Sequence, residues 1–353
     1  MKVLAINSSP RPEGQSKTVL MLSHLVKGMK EAGAEVEVVD LRRKKINFCM
    51  GCYSCWTKTP GICAHKDDMT GELFDKWLDS DIAVYATPLY HYTLNAAMKA
   101  FIERTLPMLK PFLLPGSGST YHPLRDRQPP DAVVLSVCGF PEIGHFDQLS
   151  AYFQRLWGRR LLAEIYRPGA EALPNAGAKR DEVLEATERA GRELVEARAV
   201  STETLAAIAQ DISVSDLFRE LANLMWKTCI AEGVTPKEFE ERKMVPRPDS
   251  METYLALMRF GFKPGEAAGV NKVIQFDFTG EAEGTCQLKI ADGRIEACTG
   301  HDYQPDLTIQ APFKIWMDII TGKADAQQMF MEQKCRADGD FELLTKFPNL
   351  FGR

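Results

Sequence analysis

A doubly wound α/β domain, then a helical segment, then a smaller α+β domain is the architecture this 353-residue sequence predicts. Short apolar runs rich in β-branched residues alternate with helix-period runs up to about residue 200. Residues 201–249 hold helical patterns only, broken by Pro246-Arg247-Pro248. Beyond Phe262 apolar residues alternate with polar ones, the mark of half-buried strands.

The elements follow in chain order. Val3–Ile6 is a first strand ending in a Ser-rich turn, and Val19, Leu22, Leu25, Val26 and Met29 recur at helical spacing. Val36, Val38 and Val39 mark a second strand, Ile82–Ala86 a third, and Met98, Phe101, Ile102 and Leu106 one face of a helix over about 94–106. A strand at Ala132–Cys138, a helix around Phe146–Trp157, a strand at Leu161–Tyr166 and a charged helix near Lys179–Ala199 complete the first domain. Apolar strand centres separated by helices imply a five-stranded parallel sheet covered on both faces. Leu217, Leu221, Leu224 and Met225, then Phe239, then Tyr254, Leu257 and Met258 give the helical bridge at 201–249 and the start of the last domain at 250–353. There Ile274, Phe276 and Phe278 alternate, Asp292-Gly293 signals a hairpin, and a strand at Leu307–Ile309 precedes helices near 313–320 and 324–331.

The composition, 45% hydrophobic and 26% charged, is that of a folded chain. A net charge of −5 argues against nucleic acid as a partner, because phosphate binding needs surplus Lys and Arg. No apolar run reaches the ~18 residues of a membrane span. The opening MKVLAINSSP turns polar too soon for a signal peptide, so a cytoplasmic location is expected. In that compartment disulfides are rare, and clustered cysteines bind metal or carry redox chemistry.

Two segments carry chemistry on their own terms. Between the first strand and helix lies Asn7-Ser8-Ser9-Pro10-Arg11-Pro12-Glu13-Gly14-Gln15-Ser16-Lys17-Thr18. A helix N-terminus attracts phosphate, and hydroxyls with one Arg in place of glycines suit a terminal phosphate monoester. Ser16 equally fits a plain helix cap. The second segment is the quartet Cys49, Cys52, Cys55 and Cys63, spaced C-x2-C-x2-C-x7-C. Compact thiolate sets suit iron–sulfur clusters, whereas structural zinc more often uses two separated CxxC pairs. Cluster-free thiols and zinc stay open as alternatives. No GxGxxG follows a strand, which leaves no dedicated dinucleotide site.

Three stretches together, NSSPRPEGQSKT at 7–18, CMGCYSCWTKTPGICAHKDDM at 49–69 and TPLYHYTLNAAMKAFIER at 87–104, resemble the flavodoxin-like NADPH-dependent FMN reductases and, more narrowly, their iron–sulfur flavoprotein branch. The resemblance covers residues 1 to about 200. It implies a flavodoxin-like fold, with the FMN phosphate on Ser8, Ser9, Arg11, Gln15, Ser16, Lys17 and Thr18. It also implies that Pro88, Leu89, Tyr90 and His91 line the ribityl chain and the isoalloxazine. The loop Cys138-Gly139-Phe140-Pro141 leaves the next strand on the same edge and is expected to close the site. The quartet is implied to hold a [4Fe-4S] cluster, and the chain to form a homodimer or homotetramer. NAD(P)H would stack over the flavin and leave, and electrons would pass to a quinone-like, small-molecule or protein acceptor. No conventional acid–base pair is expected, because flavin chemistry belongs largely to the cofactor.

Residues 250–353 resemble the sterol carrier protein fold through Phe262-Lys263-Pro264, Asp292-Gly293, Pro305-Asp306-Leu307-Thr308-Ile309 and Gly322-Lys323. That likeness implies an apolar ligand tunnel, for which Phe276, Phe278, Leu288, Trp316, Met317, Ile320, Met329 and Phe330 are candidates; the same residues also fit an ordinary core. The expectation is an FMN-dependent oxidoreductase with a cluster. Its rivals are a non-enzymatic electron carrier or redox sensor, and a lipid-binding module with a vestigial flavin domain.

Overall fold

The computed structural model describes residues 1–116, 118–212 and 215–351. The chain divides into two compact units, Met1–Ser213 and Val214–Arg353. In the first, β1 (Lys2–Asn7), α1 (Lys17–Glu31), β2 (Glu35–Asp40), α2 (Phe74–Leu78), β3 (Ile82–Pro88) and α3 (Ala96–Glu103) come in order. A small hairpin, β4 (Leu114–Gly116) and β5 (Ser119–Tyr121), interrupts the alternation. Then follow β6 (Asp131–Val137), α4 (Asp147–Trp157), β7 (Leu161–Arg167), α5 (Ala178–Ala197) and α6 (Thr202–Ala209).

The five long strands form one parallel sheet in the order β2-β1-β3-β6-β7. This is the flavodoxin-like order, and the chain reverses its direction of travel between β1 and β3, opening a crevice at their carboxyl ends. The two-residue period of a strand sorts the core onto two faces. Val3, Ala5, Val84 and Val133 pack under α1 and α5, while Leu4, Ile6, Tyr85 and Val134 pack with Trp77, Phe101 and Phe153 on the other side. Inside that second layer the indole of Trp77 donates a 2.7 Å hydrogen bond to the Tyr85 hydroxyl, so both polar tips are satisfied in the core.

Helices α1 and α5 touch backbone to backbone. A Cβ on Gly28 would overlap the Glu188 carbonyl, and one on Gly191 would overlap the Leu25 carbonyl. Neither obstacle is a side chain that can swing away. Gly28→Ala is therefore expected to overpack this contact and lower stability by about 1–3 kcal/mol, read as a lowered urea midpoint with an unchanged slope.

The helical segment expected between the domains is shared out between the two units. Ile208 and Ile212 sit in the first unit's core beside Val183 and Leu184. Arg167, buried at the end of β7, donates to the carbonyls of Ile208 at 2.6 Å and Gln210 at 2.8 Å, capping the C-terminus of α6. By contrast α7 (Ser215–Glu232), α8 (Pro236–Glu241) and α9 (Met251–Gly261) belong to the second unit, where Leu221 and Tyr254 pack into its core. An amphipathic helix carries no label for the core it joins. No helix among the described residues is long and apolar enough to cross a membrane.

The second unit continues with β8 (Lys272–Thr279), β9 (Gly284–Ala291), β10 (Arg294–Thr299), β11 (Leu307–Pro312), α10 (Phe313–Ile320), α11 (Ala326–Met331), β12 (Arg336–Gly339) and α12 (Phe341–Phe351). Its sheet runs β10-β9-β8-β11-β12, antiparallel except for the parallel β8–β11 pair. The Asp292-Gly293 hairpin forms as expected, with φ values of 51° and 69° at its two central residues.

Candidate functional site

The site at the sheet's carboxyl edge is built from the backbone outward. Ser8 leaves β1 with its amide donating to the Ala86 carbonyl at 2.9 Å and its hydroxyl to the same oxygen at 3.1 Å. This pins the first loop across the β1/β3 crevice. The Ser9 amide donates to Asn7 Oδ1 at 3.0 Å, and the Ser16 hydroxyl donates to Ser9 Oγ at 2.7 Å. Ser16 also accepts from the Val19 amide at 3.1 Å, so it does cap α1. Ser8, Ser9, Ser16 and Thr18 are buried, whereas Arg11 and Gln15 are exposed and Lys17 is half-buried. The amides that open α1 lie at this loop, where the positive end of the helix dipole favours an anion.

Sequence reading passed over Asn95 and Glu171, which tie the loops together. Asn95 caps α3 by accepting from the Met98 amide at 3.1 Å, and its Nδ2 donates to the Ser8 carbonyl at 2.6 Å. An Asn placed before Ala96-Ala97-Met98 was a readable cap signal. Glu171, on the turn after β7, pairs with Arg11 at 2.8 Å and stands 3.9 Å from Lys17. Its side chain also borders Gly139, so one carboxylate joins the first and fourth loops.

The third loop is held stiffly. Pro88 ends β3, and the Leu89 amide donates to the Val137 carbonyl at 2.9 Å. Tyr90 and Thr93 exchange both backbone hydrogen bonds, closing a turn whose central residues His91 and Tyr92 have φ of 47° and 63°. Two consecutive non-glycine residues in the left-handed region cost energy that the rest of the loop must offset. Tyr90, His91 and Tyr92 are exposed, and Tyr92 and Phe140 both lie against the His145 ring. Cys138 is a packed residue: its amide donates to Arg167, its carbonyl accepts from Ala170, and its thiol points to the Phe140 carbonyl. Burial pushes that thiol above its ordinary range.

All four cysteines of the quartet line one pocket, together with His65 and Arg104. Among the described residues no three His, Cys, Asp or Glu side chains converge tightly enough for a single metal ion. The thiols nevertheless sense one another: burial and then the charges of Cys63, Cys49 and Cys52 raise Cys55, while hydrogen bonds from Ser54 lower the exposed Cys52. Four thiols around one pocket are the donor chemistry that an iron–sulfur group would need.

A buried clamp, also missed from sequence, closes the base of this loop. Arg104 at the C-terminus of α3 grips Asp67 with two hydrogen bonds, 2.7 and 3.1 Å, and both side chains are almost wholly buried. The same guanidinium donates to the Asn47 carbonyl at 2.8 Å and to Thr70 Oγ1 at 3.1 Å. Asp67 in turn accepts from the Asn47 amide at 2.8 Å. Burial alone would raise the Asp67 carboxyl, but Arg104 and the amides of Asn47 and Thr70 outweigh it and hold it well below the usual carboxylate range. Both residues lie inside the stretches 49–69 and 87–104, so the motifs contained them without showing that they meet.

In the second unit Phe276, Phe278, Leu288, Trp316 and Met317 are buried in the core, with Ile320, Met329 and Phe330 partly buried against it. Phe276 stacks on Phe278 at 5.6 Å, and the Trp316 indole donates to the Tyr254 hydroxyl at 3.1 Å. These side chains pack on one another as core residues do.

Comparison with known proteins adds the following. Residues 1–127 match the NADPH-dependent FMN reductase family, and residues 257–352 match the SCP-2 sterol transfer family. An iron-sulfur flavoprotein from Archaeoglobus fulgidus is 33% identical over 200 residues, covering 56% of this chain and 80% of that protein. Another from Methanocaldococcus jannaschii is 37% identical over 109 residues, covering 31% of this chain and 52% of its own length. The solved NAD(P)H:quinone oxidoreductase from Methanothermobacter marburgensis aligns with TM-score 0.42 and 22% identity over 55% of this chain and 96% of its own.

Proposed function

The chain belongs to the iron–sulfur flavoprotein family, and on that premise we propose that it is an FMN-dependent oxidoreductase that takes electrons from NAD(P)H and passes them to a quinone-like, small-molecule or protein acceptor, with a [4Fe-4S] cluster as the group that its cysteine quartet would hold. FMN supplies the capacity to accept a hydride and release its electrons one at a time, and the chain supplies position and shielding. The amides opening α1, with Ser8, Ser9, Arg11, Gln15, Ser16, Lys17 and Thr18, hold the phosphate. Pro88, Leu89, Tyr90, His91, Cys138 and Gly139 border the ring. Cys49, Cys52, Cys55 and Cys63 are the cluster ligands. The match of residues 257–352 to the SCP-2 sterol transfer family supports reading the second unit as a module for an apolar ligand, although the side chains expected to line its tunnel pack as core.

One observation supports this reading above the others. Helix α3 joins the two sites: its N-cap Asn95 holds the first loop at Ser8, and its C-cap Arg104 holds the quartet's loop through Asp67. The eight residues between span only about 12 Å. A short helix anchored at both ends keeps the first loop and the quartet's loop in a fixed relation to each other.

The test is anaerobic stopped-flow reduction of the purified chain. Flavin absorbance is expected to bleach on mixing with NADPH or NADH. No bleaching by either, with normal bleaching by dithionite, would leave an electron carrier or sensor in place of a reductase.

A further inference from the structure

Among the described residues three buried side-chain nitrogen or oxygen atoms have no hydrogen-bond partner: His65 Nε2, Arg104 Nε and Ser136 Oγ. Two of these residues, His65 and Arg104, line the pocket of the cysteine quartet. A buried donor left unmet is destabilising, and more so when charged. Such groups are few in native proteins and each calls for a partner. Two beside one pocket therefore describe what the pocket holds.

The remaining nitrogens of Arg104 are occupied by Asp67, Asn47 and Thr70, so Nε is left over, and the Cys63 sulfur stands beside the guanidinium as its electrostatic neighbour and weak side-chain hydrogen-bond partner. His65 stands two positions beyond Cys63 and enters the pocket on the same stretch of loop. Free thiols are weak acceptors and give these donors little. An iron–sulfur cluster offers electron-rich sulfurs, and hydrogen bonds to those sulfurs are a main control on its potential.

Building on the cluster reading above, we infer that His65 Nε2–H and Arg104 Nε–H donate hydrogen bonds to sulfur atoms of the group held by Cys49, Cys52, Cys55 and Cys63, and that His65 is a positioning residue that raises its reduction potential. One-electron reduction adds one negative charge to that group, makes or breaks no covalent bond, and moves no proton. The electron comes from the reduced flavin or, in the test, from dithionite. Donors aimed at the sulfurs stabilise the added charge, so the reduced form gains relative to the oxidised one.

The experiment uses the full chain purified anaerobically, with iron and sulfide assays and a dithionite titration followed by electron paramagnetic resonance. His65→Phe is expected to keep its iron and sulfide while the ratio of reduced to oxidised cluster at fixed potential falls about tenfold, a drop of about 59 mV for a one-electron couple. His65→Gln, which returns an N–H donor, is expected to recover most of that drop. If His65→Phe sheds its iron while His65→Gln keeps both iron and potential, the donor role also stands. Full loading with an unmoved potential in His65→Phe overturns the inference and leaves the cluster reading intact. Loss of iron from both variants overturns it too, since it makes His65 a ligand or a support for the loop. Wild-type chain without iron and sulfide removes the cluster reading itself, and the inference falls with it.

Discussion

Asp67→Asn is expected to destabilise the first unit by about 3–5 kcal/mol, because it leaves the Arg104 guanidinium buried without its counter-charge. For a domain of this size that is a fall in melting temperature of roughly 10 °C. The pH dependence has a definite sign. The folded carboxyl titrates below its unfolded value, so its contribution is complete above about pH 4 and is lost as pH falls through the folded value. The wild type should therefore lose stability below about pH 4 more steeply than the variant, which has no carboxyl to protonate there. Thermal melts at neutral pH and across the acid range check both points. Equal melting temperatures at neutral pH would mean that the buried pair contributes nothing net. If the quartet holds a cluster, iron content should fall with stability, since the clamp sets where the quartet's loop begins and ends.

Asn95→Ala carries the next largest effect. It removes the cap of α3, about 1 kcal/mol, and leaves the Ser8 carbonyl without its donor, a further 1–3 kcal/mol or so. The expected total is about 2–4 kcal/mol by urea unfolding. Asn95→Asp separates the two parts, because a carboxylate can still cap Met98 but cannot donate to Ser8. That variant should keep most of the helix's stability and yet bind FMN about tenfold more weakly in a fluorescence titration, the equivalent of about 1.4 kcal/mol. Wild-type FMN affinity in both variants would mean that the Asn95–Ser8 hydrogen bond takes no part in flavin binding.

Much of the architecture could be read before any coordinates. The strands announce themselves through short runs such as Ile82–Ala86, buried on both faces, and the helices through their period. The quartet and the hydroxyl-rich loop are local in sequence, so their composition alone exposes them. What stayed hidden is non-local. Asp67 and Arg104 are separated by 37 positions, and Ser8 and Asn95 by 87. Each looks like an ordinary polar residue until the sheet brings it to its partner. Gly28 and Gly191 give no sequence signal of their contact, and only the packing of α1 on α5 shows that no Cβ fits there. Residues 201–249 read as helical, and it takes packing to put Ile208 and Ile212 in the first core and Leu221 against the second, since an apolar stripe does not specify which core it covers.

The clamp at Asn47, Asp67 and Arg104 makes the intervening segment a cassette. Its two roots are anchored to one guanidinium, so the parallel sheet does not feel how much chain lies between them. Closure entropy grows only logarithmically, and even doubling such a loop adds about 0.6 kcal/mol. An insertion between Cys55 and Cys63 should thus cost the sheet little, whereas changing an anchor at the foot of the loop leaves a buried charge without its partner.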